Sequence, residues 1–231
     1  MKIAATTLGE TGGDAVSMSM GLGYLVSTGI FAALFIAAVG LQVSRKRFHP
    51  VVYWITIVAS TTVGTTLADF ADRSLGIGYA GGTSLLAVLL VASLLLWHRT
   101  MGTVSVESVR TAKAETFYWV TIMFSQTLGT ALGDWTADSA GIGYLGGTAL
   151  FSGLILLVAA AYLFTKISRT VLFWLAFVLT RPLGAVVGDF LDKPLGSGGL
   201  ALSRYAASAT LIGFLGLCLV VFKHRPAQKA H

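Results

Sequence analysis

"GTALGDWTADSAGIGYLGG", residues 129–147, places Asp134 five residues after Gly129 and seven before the glycine pair Gly141/Gly143, between segments apolar enough to cross a bilayer. A carboxylate in that setting needs a reason. The same pattern, Gly-x4-Asp-x6-Gly-x-Gly, recurs without gaps from Gly9, Gly64 and Gly184. Its aspartates are Asp14, Asp69, Asp134 and Asp189, at spacings of 55, 65 and 55 residues. A tryptophan stands ten residues before the glycine in three copies, as Trp54, Trp119 and Trp174. In the first copy that position falls upstream of Met1, which predicts a first helix short for a bilayer. Recurrence at such spacing marks an internal repeat, each copy one supersecondary unit.

Composition gives these units a solvent. Of 231 residues, 55% are hydrophobic and 11% charged, whereas a soluble domain carries about 25% charged residues. Runs of roughly 20 apolar residues read as membrane helices: 22–43, 79–97, 144–164 and 200–222. A shorter, hydroxyl-richer segment precedes each, at 1–14, 51–69, 117–134 and 171–189. The chain is expected to be a single all-α integral membrane domain over 1–231, with eight transmembrane helices and repeats at 1–43, 51–97, 117–164 and 171–222. Each repeat would be a hairpin turning at its Gly-x-Gly. Two crossings per unit make the four hairpins parallel rather than inverted, around a pseudo-fourfold or two-plus-two axis.

The net charge of +6 does not point to nucleic acid. Arg45, Lys46, Arg47, Arg99, Arg110, Lys113, Lys166, Arg169, Lys223, Arg225 and Lys229 all follow the second helix of a unit, against Arg73, Lys193 and Arg204 on the opposite side. That is the positive-inside pattern, and it puts both termini in the cytoplasm. One cysteine, Cys218, excludes an internal disulfide. His49, His98, His224 and His231 fall on the basic side, away from the aspartates. No secretory signal, phosphate loop, Ser/His/Asp grouping or zinc motif is present. No cofactor and no enzymatic activity are expected.

Trp-x9-Gly-x4-Asp-x6-Gly-x-Gly in tandem two-helix units resembles a bacterial membrane-anchored protein family built from four tandem repeats of unknown function. The resemblance covers about residues 2–222. It implies eight helices in the bacterial inner (cytoplasmic) membrane and carries no reaction. Two departures stand out: the first repeat lacks its tryptophan, and the fourth reads Gly198-Gly199 where the others have Gly-Tyr.

Residues four apart share a helix face. Counting back from each aspartate gives Lys2, Thr6, Glu10, Asp14; Ile57, Thr61, Thr65, Asp69; Ile122, Gln126, Thr130, Asp134; and Phe177, Arg181, Ala185, Asp189. A charge turned to lipid costs at least roughly 2.5–3.5 kcal/mol, so the four faces are expected to turn inward on one another. At about 1.5 Å per residue each aspartate lies about 22 Å beyond its tryptophan. Tryptophans in an interfacial belt would then put the acids in the outer third of the membrane. Arg181, near mid-depth, needs a partner. Glu10 is at nearly the same level, and a Glu10–Arg181 pair is expected, with Lys2 a rival partner for the acid.

Carboxylate rings attract cations and suit hard ions. Asp14, Asp69, Asp134, Asp189 and Glu10 are therefore the candidate cation or metal ligands. Glu10, Arg181 and Lys2 form a candidate gate or charge pair, and Thr61, Thr65, Gln126 and Thr130 a candidate polar path. The rival reading makes each aspartate a cap for its own glycine-rich turn. Asp72, Asp138 and Asp192 read as solvated turn residues, and Gly81, Gly82, Gly146 and Gly147 as packing positions. The expectation is a carrier or channel for a small cation, with a divalent metal or protons the candidates, acting as a monomer or homodimer. The alternative is a non-transporting scaffold or sensor.

Overall fold

A computed structural model describes residues 1–44, 49–109 and 111–222. Much of the basic set (Arg45, Lys46, Arg47, Arg110, Lys223, Arg225, Lys229), with His224 and His231, lies outside the described residues. Among the described residues there are eight α-helices and no strand: α1 (Lys2–Asp14), α2 (Gly23–Ser44), α3 (Pro50–Asp69), α4 (Tyr79–Met101), α5 (Ala112–Asp134), α6 (Gly143–Phe164), α7 (Arg169–Asp192) and α8 (Arg204–Val221). All but α1 and α5, six helices in all, are long and apolar enough to cross a membrane. α1 has only 13 residues. α5 has 23 but carries Lys113, Glu115, Gln126 and several threonines. Apolar side chains such as Leu25, Val88, Leu157 and Val220 face outward, as a multi-pass membrane protein requires.

The odd-numbered helices close into a ring, α1 against α3, α3 against α5, α5 against α7 and α7 against α1. Small residues at a spacing of four make this possible. Gly9, Gly64, Gly129 and Gly184 lie against Thr61, Gln126, Arg181 and Thr6, in each case the residue three before the next repeat's glycine. One turn on, Gly13, Gly133 and Gly188 meet Thr65, Ala185 and Glu10, the residue just after that glycine. Four steps along one helix shift the contact four steps along its neighbour in the same sense, so ring neighbours run parallel. Glycine at these joints brings the backbones together, as small-x3-small stripes do between membrane helices.

The two helices of a repeat do not pack chiefly on one another. α2 packs mainly on α3, α4 on α5, α6 on α7 and α8 on α1. The second helix of each repeat thus leans on the first helix of the next. The chain reverses at the turn. In three repeats the ring helix continues past its aspartate into one wide π-turn, at Ala15–Ser19, Phe70–Ser74 and Trp135–Ser139. Glycine pairs with φ between 68° and 74° follow (Gly21/Gly23, Gly76/Gly78, Gly141/Gly143), a conformation that costs glycine alone little. The fourth repeat departs here: α7 runs on to Asp192, a short 3₁₀ turn covers Leu195–Ser197, and of the glycine pair only Gly198 has positive φ (83°).

The tryptophan end of the ring is filled, contrary to the expectation of an interfacial belt. Trp119 and Trp174 are buried and pack with Trp97 and Tyr118, the Trp97–Trp174 and Tyr118–Trp119 ring centroids lying 5.8 and 5.0 Å apart. Trp174 Nε1 donates to Val104 O at 2.9 Å. Val104, Val106 and Val109, from the connection between α4 and α5, pack on this cluster. Extra chain between the second and third repeats therefore caps the ring.

A Cβ at Gly64 would sit 2.8 Å from the Gln126 backbone carbon, whereas one at Gly153 meets nothing within 4 Å. Gly64→Ala is expected to destabilise the detergent-solubilised protein by about 1–3 kcal/mol, the usual cost of overpacking. Gly153→Ala should leave it unchanged or raise it slightly. Thermal melting of the two variants checks this.

Candidate functional site

From the tryptophan end outward, the ring is layered by the columns that end in the aspartates. Ile57, Ile122 and Phe177 make an apolar floor. Lys2 stands beside them with its Nζ 3.5 Å from the centroid of the Phe177 ring. Among the described residues it makes no ion pair with Glu10, so the rival partnership expected for Lys2 does not form. The ammonium rests on an aromatic face instead, a favourable desolvated cation–π contact.

Arg181 fills the next two levels. It is fully buried, and its side chain reaches one turn outward to the other three repeats at once. Nη1 and Nη2 donate to Glu10 Oε2 at 3.1 and 3.0 Å, and Nη2 also donates to Thr65 Oγ1 (2.6 Å) and Thr130 Oγ1. Glu10, Thr65 and Thr130 occupy equivalent places in repeats one, two and three. In the fourth repeat that place holds Ala185, a methyl group. Thr61 O lies 3.5 Å from Nη2. Of the threonine and glutamine residues expected to line a path, Thr65 and Thr130 bind Arg181, while Thr61 and Gln126 lie against the glycine joints of Gly9 and Gly64, with Thr61 Oγ1 and Gln126 Oε1 without a hydrogen-bond partner among the described residues. All four are fully buried, and Gln126 Nε2 donates to Ser60 Oγ at 3.4 Å.

The four aspartates come together above this layer, each nearly inaccessible to solvent. Among the described residues no side-chain cap hydrogen bond at the three π-turns holds Asp14, Asp69 or Asp134. Two bases do. Arg73 Nε pairs with Asp69 Oδ1 at 2.9 Å and its Nη2 with Asp134 Oδ2 at 3.3 Å. Lys193 Nζ pairs with Asp189 Oδ1 at 3.0 Å and Asp14 Oδ2 at 2.9 Å. Each base stands four residues after its own aspartate and reaches to the next repeat's, bridging the α3–α5 and α7–α1 joints. Burial works against the charged form of Lys193, but Asp189, Asp14 and Asp192 outweigh it and hold the ammonium well above the ordinary lysine range. Arg204 Nε binds Asp192 Oδ2 at 2.7 Å, and its Nη2 lies 3.7 Å from Asp14 Oδ2.

Arg73, Lys193 and Arg204 had read as outer-side charges, and their role at the acids was missed. The signal for two of them was present: a base four residues after an aspartate lies on the same helical face. Two of the outer acids differ from solvated turn residues, while Asp138 is exposed as expected. Asp72 is buried against Gly82, Asp192 is buried on Arg204, and Asp138 Oδ1 accepts from Tyr144 Oη at 3.4 Å.

These layers are built by the repeat itself. The family described as Repeat of Unknown Function (DUF347) matches four times, at residues 1–48, 52–103, 117–168 and 172–225. The chain belongs to this family. No curated protein and no solved structure matches it. The repeat's glycine makes the joints and its aspartate the outer layer. Arg181 and Glu10 each occur in one copy, and the bases Arg73 and Lys193 occur in the second and fourth copies.

Removing one member of a buried ion pair leaves the other uncompensated, at about 3–5 kcal/mol. Arg181→Met should lower stability by that order, and Glu10→Gln by less, since an amide can still accept from the guanidinium. The double variant should be more stable than the sum of the single losses implies. A double-mutant cycle by denaturation in detergent measures the coupling.

Proposed function

We propose that this chain is a membrane transport protein for a small cation, a carrier rather than an open pore. All eight helices would cross the bacterial inner membrane with both termini in the cytoplasm, four parallel repeats surrounding a pseudo-fourfold axis that the charges reduce to two-plus-two. The ring closes within one chain, so a monomer suffices and a homodimer is optional. The observation that carries the reading is a charge imbalance in a dry place. Glu10, Asp14, Asp69, Asp134 and Asp189 are enclosed together, and the bases that pair directly with them from the ring are Arg181, Arg73 and Lys193. Fully ionised, the five acids keep two negative charges beyond what those three bases neutralise. Ionisable groups inside membrane segments are expensive and mark ion or proton pathways by default.

A carrier reading fits better than a channel because both ends of the acid layer are closed. Arg181 and the aromatic cluster block one side, and the Arg73 and Lys193 bridges cover the other. Transport then requires these bridges to open in turn. The scaffold alternative is favoured by the same bridges, since bases that tie acids across repeats also hold the ring together.

Flux into proteoliposomes across a panel of monovalent and divalent cations, with and without a pH gradient, tests the proposal. The wild-type chain should carry a cation, and Asp134→Asn or Glu10→Gln should reduce the rate at least tenfold in protein that still folds. No flux for any ion, or flux indifferent to both substitutions, would leave the scaffold reading in possession.

A further inference from the structure

Resting on the cation-carrier reading, we propose that the cargo sits between Glu10, Asp134 and Asp189 rather than in a ring of four equivalent aspartates, and that this seat takes a divalent hard cation of calcium size. The three residues come from α1, α5 and α7, and each brings one carboxylate oxygen, the three oxygens lying within 4.8 Å of one another. All three side chains are at least nine-tenths buried. One atom among them has no use in the resting network: Asp134 Oδ1 is buried without a hydrogen-bond partner, while Arg73 engages only Oδ2. A buried orphan acceptor is costly, and a bound cation would satisfy it. The neighbouring bases leave room for this. Arg181 holds Glu10 by Oε2 and Lys193 holds Asp189 by Oδ1, one oxygen of each carboxylate.

Geometry and charge then select the ion. Three points within 4.8 Å of one another share a centre no more than about 2.8 Å from each. That ceiling admits the roughly 2.3–2.6 Å of Ca²⁺, whose flexible coordination accepts bidentate carboxylate and water, whereas Mg²⁺ dehydrates reluctantly and is usually held by one or two carboxylates and several waters rather than by three buried carboxylates. Only oxygen ligands are present, which disfavours softer metals. The three bases paired with the five acids leave two negative charges, one of them offset by Lys2 on the Phe177 ring, so the acid layer stays anionic toward a cation. The other carboxylate group, Asp14, Asp189 and Asp192, is a poorer seat, because Lys193 and Arg204 already stand in it.

Isothermal titration of the detergent-solubilised full chain with Ca²⁺ and with Mg²⁺ tests the seat. One Ca²⁺ per chain is expected, bound at least tenfold more tightly than Mg²⁺. Asp134→Asn and Glu10→Gln should each weaken Ca²⁺ at least tenfold, and Glu115→Gln should leave it unchanged. Undiminished binding in Asp134→Asn and Glu10→Gln overturns the seat, and Mg²⁺ binding as tight as Ca²⁺ overturns the size class. Where those variants fail to fold, the wild-type titration decides by itself: no saturable Ca²⁺ binding at millimolar concentration ends the proposal. Ca²⁺ bound through these residues without any flux in vesicles would sink the carrier and keep the seat. Cation flux in a protein that binds no Ca²⁺ would do the reverse.

Discussion

A guanidinium with no access to water must be satisfied by whatever surrounds it, and Arg181 has only the other three ring helices to draw on. Glu10 supplies the charge, and Thr65 and Thr130 supply neutral acceptors at the same level. Desolvating such a group costs several kcal/mol before any contact is made. Every member of the cluster therefore has to be in place for the centre to be tolerable. Through these contacts the arginine links all four repeats at one level.

That centre is possible only because the joints are made of glycine. A side chain in place of Gly129 would run into Arg181 itself. Gly129 thus does two things, bringing backbones together and opening the volume that a long basic side chain needs to pass between helices. The aspartate layer above follows a different rule. The four acids are equivalent by position, but their bases stand only in repeats two and four, and two joints are bridged while two are not. Backbone contacts repeat four times, and charge repeats twice.

Much of this was legible in the sequence and some was not. The repeat, the inward acids and the partnership of Glu10 with Arg181 follow from spacing and from the cost of a lone charge in an apolar medium. Arg73 and Lys193 were readable but were counted only as side markers, because orientation statistics treat a base as a vote and ignore its neighbours. Trp119 and Trp174 misled for a related reason. Tryptophan has an average preference for the headgroup level, and here the connection between α4 and α5 brings Val104 O to Trp174 Nε1, which removes that preference. The offset of the outer helices was not legible at all. A tight turn fixes that the chain reverses, and side-chain packing decides on which neighbour the returning helix comes to rest.

The offset has a consequence for ancestry. Since each outer helix leans on the following repeat, and α8 leans on α1, no repeat buries its own surface and the last one closes against the first. Repeats one and two together supply one bridging base, Arg73, and repeats three and four the other, Lys193. A half-length polypeptide would thus carry unfinished edges at both ends that match each other, and two copies meeting head to tail would complete the circle. Fusion of such a pair needs only a connecting strap, and the longer spacing between the second and third repeats lies where that splice would fall.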